Sequence, residues 1–178
     1  LFFAVSQHVV LLAALGQEDV RRLLGWSSVS QAGYGLMAPV AVASTSLAHP
    51  ALVLFIIAYA LGNLAAFGVV VGLRGRTSLQ DYQGLSSSRP WHAATLTLAM
   101  LSLIGIPPLI GFTAKLALFG AAIQAGFSWL AVLAVLNTVM SLFYYLRVIG
   151  AMYLGKPQSN VALLDRLSRL GLKAPVEP

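Results

Sequence analysis

The chain has 178 residues, of which 58% are hydrophobic and 9% charged, and its formal net charge is +6. Since about a quarter of the residues in a soluble domain carry charge, this composition and a mean hydropathy of +0.84 exclude an ordinary soluble domain and indicate an integral membrane protein. The absence of cysteine excludes thiolate metal centres, iron–sulfur clusters and disulfides. Basic residues confined to short connections argue against nucleic-acid binding.

Hydropathy predicts an all-α, polytopic membrane protein with five transmembrane spans. The spans cover residues 1–15, 27–44, 51–73, 91–125 and 128–154. They form one transmembrane unit over residues 1–154, followed at 155–178 by a cytoplasmic tail that is either an amphipathic helix or disordered. Because the chain opens with Leu1 in apolar sequence and without an initiator Met, we expect it to be a piece of a longer chain.

The distribution of charge predicts the orientation of these spans. The connections 16–25 and 74–90 and the tail carry nearly all the charge, whereas the turns at 45–50 and 125–127 carry none. Alternate connections lie on the same side of a membrane. The positive-inside rule therefore places the charged connections in the cytoplasm and the neutral turns outside.

The fourth span, 91–125, is too long for one straight helix and predicts two half-helices interrupted at Ile106–Pro108. Proline removes a backbone donor and its ring clashes with the preceding turn, while glycine permits dihedral angles that other residues resist. Four residues supply the helix break: Gly105, Pro107, Pro108 and Gly111. Transporters build ion sites from such discontinuous helices near the membrane midplane.

Lys115 follows the helix break and is the only charged residue between Trp91 and Leu146. An ammonium inside a bilayer costs about 2.5–3.5 kcal/mol, so such a residue usually faces protein or water and has a task. We expect it in the first turn of the second half-helix, where the positive end of the helix dipole disfavours a cation. We hypothesise that Lys115 gains or loses a proton when a nearby charge changes. The alternative, a lysine reaching from a proline kink to the membrane surface, requires too long a reach.

Other polar residues within the spans are candidates for lining a water chain. Tyr59 and Asn63 lie one turn apart in the third span, and Gln31 belongs to a polar cluster at 27–34. Polar side chains in membrane helices also form simple interhelix hydrogen bonds of about 0.6 kcal/mol. We interpret Thr138 as a packing residue. In the third span, Gly68 and Gly72 form a GxxxG pattern, which would let another helix approach closely.

Three segments carry a resemblance to a known family. They are Arg22–Tyr34 (RLLGWSSVSQAGY), Ser102–Lys115 (SLIGIPPLIGFTAK) and Ser141–Val148 (SLFYYLRV). In order and spacing they resemble the antiporter-like subunit N family of proton-pumping NADH-quinone oxidoreductase, respiratory complex I. The resemblance covers about residues 1–154.

The resemblance implies that this chain is helices 9 to 13 of the family fold, the second of two inverted five-helix repeats. Lys115 matches the lysine of broken helix 12, which the family uses as a proton relay leading to the outer face. The partner lysines and glutamate would lie upstream. The stretch with Tyr59 and Asn63 carries relay groups in related subunits, whereas Gln31 stands where the family often has histidine. The family's fourteenth helix has no counterpart here.

The resemblance also implies that this chain binds no cofactor, and that NADH, FMN, iron–sulfur clusters and quinone are bound by other subunits. The expected partners are other membrane subunits of complex I, the lipid bilayer, protons and water, with no nucleic acid. The expected location is the bacterial inner membrane or an equivalent energy-coupling membrane. Two alternatives remain: a subunit of a multisubunit cation/proton antiporter, which shares a Gly-Phe-x-x-Lys element, and a structural scaffold in which Lys115 forms a buried ion pair. Ser141–Val148 favours complex I.

Overall fold

The computed structural model describes residue 10 and residues 12–155, so the predicted tail and most of the first predicted span lie outside the described residues. Residues 12–15 are helical. The helices that follow are α1 (Val20–Gly35), α2 (Met37–Ala41), α3 (Ala48–Gly72), α4 (Leu85–Ser88), α5 (Pro90–Ile104), α6 (Ile110–Gln124) and α7 (Ser128–Leu154), with a 3₁₀ turn at Leu79–Tyr82 before α4. The predicted helical fold is confirmed over this part of the chain.

Within the described residues, α3 and α7 are the helices long and apolar enough to cross a membrane. The fourth predicted span forms two shorter apolar helices, α5 and α6, of 15 residues each. The gap between them contains the predicted helix break at Ile106–Pro108. The count of five spans stays a prediction.

The second predicted span, 27–44, is divided between α1 and α2. Helix α1 begins in the charged connection because the Asp19 carboxylate accepts hydrogen bonds from the backbone N–H of Arg21 at 2.8 Å and of Arg22 at 3.1 Å. This is the arrangement of a helix N-cap. Helix α1 ends at Gly35, four residues before Pro39. A continuous helix would bring the Pro39 ring against the Gly35 carbonyl, which accounts for the interruption.

The charged connections 16–25 and 74–90 meet at one end of the molecule. The backbone N–H of Val20 donates to the Thr77 carbonyl at 2.7 Å, and that of Leu79 donates to the Glu18 carbonyl at 2.7 Å. The two connections thus lie on the same side, as the alternation of charge requires. That this side is cytoplasmic stays a prediction.

The neutral turns occupy the opposite end. The Thr45 hydroxyl donates to Gln124 Oε1 at 2.8 Å and joins the turn after α2 to the end of α6. Trp129, at the start of α7, is half-exposed near this end, and Trp91, at the start of α5, is 83% exposed near the charged end. Tryptophans at both ends of a bundle are typical of the two membrane–water interfaces.

Two clusters of buried apolar side chains fill the interior. The cluster in the charged half includes Leu23, Leu96 and Val148, and the cluster in the neutral half includes Ala41 and Leu118. Helix α3 packs against both α5 and α6 and so spans the two clusters. The helix break lies where the clusters adjoin.

Candidate functional site

Lys115 lies in α6 and is only 4% exposed. Helix α6 begins at Ile110, so Lys115 lies more than one turn inside the helix. Our expectation that it stands in the first turn is therefore wrong, because the helix restarts soon after the proline pair. Its side chain points back across the helix break toward α5.

The amine of Lys115 binds the carboxyl-terminal end of α5. Its Nζ donates to the carbonyl oxygen of Leu103 at 2.9 Å and to that of Ile104 at 3.1 Å. Carbonyls in the last turn of a helix have no helical partner and carry the negative end of the helix dipole. Lys115, from the second half-helix α6, thus caps the end of the first half-helix, α5. Its amine lies at the negative end of the α5 dipole, which attracts a cation.

Two glycines make this arrangement possible. Gly105 ends α5 with φ at 89°, a left-handed conformation that favours glycine. A Cβ at Gly111 would lie 1.8 Å from the Ser102 carbonyl oxygen, so only glycine allows α6 to approach α5 this closely. That approach brings Lys115 within reach of the free carbonyls.

A small cavity adjoins the amine. Its volume is about 10 Å³, close to the smallest space that holds one water molecule. The residues that line it are Gln31, Phe55, Ala58, Tyr59, Ser102, Leu103, Gly111 and Lys115. Gln31 Nε2 donates to the Leu103 carbonyl at 3.0 Å, so Gln31 and Lys115 share this acceptor.

Tyr59 forms part of the cavity wall and links it to Asn63. The Tyr59 ring stacks on Phe55, with centroids 6.4 Å apart and planes 9° apart. The side-chain amide of Asn63 donates to the Tyr59 hydroxyl at 3.2 Å. The structure therefore brings Lys115, Gln31 and Tyr59 to one cavity, whereas Asn63 reaches it only through Tyr59.

Sequence reasoning missed the contact between Lys115 and Tyr34. Lys115 Nζ lies 4.5 Å from the centroid of the Tyr34 ring, a cation–π distance. The Tyr34 hydroxyl binds the Thr138 hydroxyl at 3.0 Å and the Ala134 carbonyl at 3.2 Å, which holds the ring in place. One signal was available, because Tyr34 follows Gln31 by three residues and so shares its helix face.

Further polar groups continue from Gln31 toward the charged end. The Tyr145 hydroxyl interacts with the side chain of Gln31 and is hydrogen-bonded to the Ser27 hydroxyl. Ser27 lies one turn before Gln31 in α1. The rings of Tyr144 and Tyr145 are 4.5 Å apart. Polar side chains thus extend from the cavity at least one helical turn toward the charged connections.

Comparison with known proteins identifies relatives of this chain. A family model described as the transmembrane region of NADH:quinone oxidoreductase and Mrp antiporters matches residues 2–141. The chain is 47% identical, over 160 residues, to NADH-quinone oxidoreductase subunit N of Mycobacterium sp. (strain JLS), covering 89% of this chain and 34% of that protein. It thus spans about a third of the length of that curated relative.

Solved structures give the same fold. A chain of respiratory complex I from Thermus thermophilus, solved with bound aureothin, matches with a TM-score of 0.73 at 29% identity, covering 94% of this chain and 43% of that one. The Mrp complex from Dietzia sp. DQ12-45-1b matches with a TM-score of 0.77 at 30% identity, covering 88% and 29% respectively.

Proposed function

The chain belongs to the NADH:quinone oxidoreductase/Mrp antiporter transmembrane family, and from this premise we propose that it forms part of a proton-translocating, antiporter-like subunit of an NADH-quinone oxidoreductase. One observation carries the proposal. A buried lysine donates from its amine to two carbonyls in the last turn of an interrupted membrane helix. Intramembrane ionisable groups in such positions commonly belong to ion or proton pathways.

The contacts of Lys115 suit both of its protonation states. A neutral amine has two N–H donors, which the carbonyls of Leu103 and Ile104 satisfy. The ammonium has a third donor and a full charge, and the face of the Tyr34 ring, 4.5 Å away, favours that charge. Carbonyl oxygens accept a hydrogen bond from either form, so both forms of the amine can keep these two contacts.

The cavity beside Lys115 supplies a place for the exchanged proton. A water molecule there would lie beside Lys115, Tyr59 and Gln31, all of which line the cavity. In this proposal Tyr59 passes a proton or orients the water. Gln31 hydrogen-bonds the water but does not titrate, and Asn63 orients Tyr59.

The electron-transfer chemistry belongs elsewhere in the assembly. The chain has no cysteine that could hold an iron–sulfur cluster, so we assign NADH, FMN, the clusters and quinone to other subunits. Charge changes passed along neighbouring membrane subunits would couple their chemistry to Lys115. The membrane would be the bacterial inner membrane or its equivalent, with the charged connections in the cytoplasm.

Two alternatives differ in what they predict. The structural match to an Mrp complex favours a cation/proton antiporter subunit, but the higher identity, 47%, is to an NADH-quinone oxidoreductase subunit. The antiporter alternative predicts proton exchange driven by a cation gradient without NADH. The scaffold alternative predicts that pumping survives the loss of Lys115.

The test is Lys115→Ala in the full-length subunit of the assembled complex, reconstituted in liposomes. NADH-driven proton uptake and quinone reductase activity are measured together. We expect proton uptake per NADH to fall sharply, since the relay group is absent, while the complex still assembles. The matched control is Leu116→Ala, the adjacent residue, whose side chain is 50% exposed and does not line the cavity. An unchanged proton-to-electron ratio would refute the relay and favour the scaffold.

A further inference from the structure

The last turn of α5 offers backbone oxygens that suit a cation. The carbonyls of Leu103 and Ile104 lie where α5 ends, so they lack the partners that a continuous helix would supply. Their oxygens carry the negative end of the helix dipole. Half-helix ends of this kind coordinate cations in membrane transporters. The amine of Lys115 binds these same two oxygens, and its nitrogen therefore stands where a bound ion would stand.

The distances at this position suit an ion of the size of K⁺. The amine nitrogen of Lys115 lies 2.9 Å from the Leu103 oxygen and 3.1 Å from the Ile104 oxygen. An ammonium group and K⁺ are nearly equal in radius, whereas Na⁺ is smaller and binds oxygen at shorter distances. Backbone carbonyls replace the hydration shell of K⁺ in channel filters, so such a site does not require a carboxylate.

Two further features of the surroundings favour a cation. The centroid of the Tyr34 ring lies 4.5 Å from the amine nitrogen, and the face of an aromatic ring attracts a cation. The adjoining cavity of about 10 Å³ has space for one water molecule, which would supply another oxygen ligand. Gln31 and Ser102 line this cavity and have polar side chains that can hold such a water.

We propose that the Leu103 and Ile104 oxygens form a monovalent-cation site, and that the Lys115 amine is its tethered occupant. The lysine excludes K⁺ and Na⁺, because its nitrogen fills the position of the ion whether or not the amine is charged. Lys115 thereby determines which ion the site accepts. This consequence rests on the proposed function: if Lys115 exchanges protons, its occupation of the site makes the exchange specific for protons over metal cations.

The test uses the assembled complex with the full-length subunit in lipid nanodiscs. Binding of radioactive Rb⁺, a K⁺ analogue, is measured by rapid filtration. We expect Lys115→Ala to bind a Rb⁺ ion that the original complex does not bind, because truncation vacates the position beside the two carbonyls. K⁺ should displace this ion at a several-fold lower concentration than Na⁺.

Lys115→Met is the matched control. Its unbranched apolar side chain fills most of the space of the lysine side chain without a charge, so it should block the site and bind no additional Rb⁺. Leu116→Ala, at the adjacent residue outside the cavity lining, should also bind no additional Rb⁺. If Lys115→Ala prevents assembly, Lys115→Ser decides, because a short hydroxyl side chain also vacates the ion position and should give the same added binding.

The outcomes separate this inference from the proposed function. Absence of added Rb⁺ binding in the truncated variant, or equal binding in Lys115→Met, would overturn the cation site even where proton uptake per NADH is lost. Displacement of Rb⁺ by Na⁺ as readily as by K⁺ would overturn the assignment of ion size. Added Rb⁺ binding together with unchanged proton uptake would support the cation site and refute the relay.

Discussion

At the scale of single residues, the site depends on a lysine whose acceptors are neutral. Lys115 donates to two carbonyls, and neither contact requires the amine to be charged. A fixed cation would serve a scaffold equally well, whereas a relay must be able to release its proton. The choice between these roles can be tested by a substitution that keeps the charge.

Lys115→Arg makes that distinction, because the guanidinium is always charged in proteins. We expect proton uptake per NADH to fall to the level of Lys115→Ala, while the amount of assembled complex on a native gel stays higher than for Ala. If Lys115→Arg pumps normally, the residue serves as a fixed charge. Quinone reductase activity with an uncoupler present controls for damage to the redox subunits.

Tyr59→Phe tests the hydroxyl of Tyr59, a residue that lines the cavity. The phenylalanine ring preserves the stacking on Phe55 but removes the hydroxyl that accepts a hydrogen bond from Asn63. Loss of a hydrogen bond worth about 1 kcal/mol corresponds to a roughly fivefold slower proton uptake. Tyr153→Phe is the matched control, because Tyr153 lies near the end of α7 and its side chain is half-exposed. Equal rates for both variants would remove Tyr59 from the path.

At the scale of helices, the close approach of α6 to α5 determines whether Lys115 reaches its acceptors. Gly111→Ala would force a Cβ to 1.8 Å from the Ser102 carbonyl, so the helices must separate. We expect a loss of stability of about 1–3 kcal/mol, the usual range for overpacking, together with reduced pumping. The measurements are thermal inactivation of the complex and proton uptake per NADH.

Gly120→Ala is the control within the same helix. Its Cβ would meet only Leu47 Cδ2, at an ordinary 3.6 Å, and alanine favours the helix over glycine. We expect Gly120→Ala to be neutral or slightly stabilising. Equal loss in the two variants would mean that any added methyl group in α6 is harmful, and the close approach at Gly111 would lose its special role.

The helix break could be predicted from sequence because proline and glycine act locally. The position of Lys115 within α6 could not, because helix boundaries depend on turn geometry that shifts them by one or two residues. The acceptors of Lys115 were also invisible, since a free backbone carbonyl leaves no mark on residue type. Tyr34 was visible as a polar residue, but its place beneath the amine depends on how α1 packs against α6.

At the scale of the whole molecule, the two described charged connections form one joined layer at one end of the bundle. Asp19 caps α1 and also binds the Thr77 side chain in the other connection. Sequence reasoning placed these connections on the same side from charge alternation. It could not foresee that they hydrogen-bond to each other, because that depends on the lengths and angles of α1 and α3.

This layer should weaken in acid through Asp19. Burial raises the pKa of Asp19. Opposing effects that jointly exceed it come from hydrogen bonds donated by the Arg22 amide, the Thr77 side chain and the Arg21 amide, together with the nearby Arg21 charge. As a result, the pKa of Asp19 lies below its ordinary value of 3.8. A carboxyl group with a lowered pKa in the folded state stabilises that state above pH 3.8. The stabilisation is lost as the pH falls through the folded-state pKa.

The measurement is hydrogen–deuterium exchange of the first turn of α1 between about pH 3 and 6, corrected for intrinsic rates. At the upper end of this pH range, Asp19→Ala should speed amide exchange in the first turn of α1 roughly fivefold, since an N-cap contributes about 1 kcal/mol. Asp19→Asn keeps a capping oxygen but cannot titrate, so its protection should change less with pH than that of the original chain. Parallel pH profiles for the Asn variant and the original chain would assign the acid sensitivity to other carboxylates.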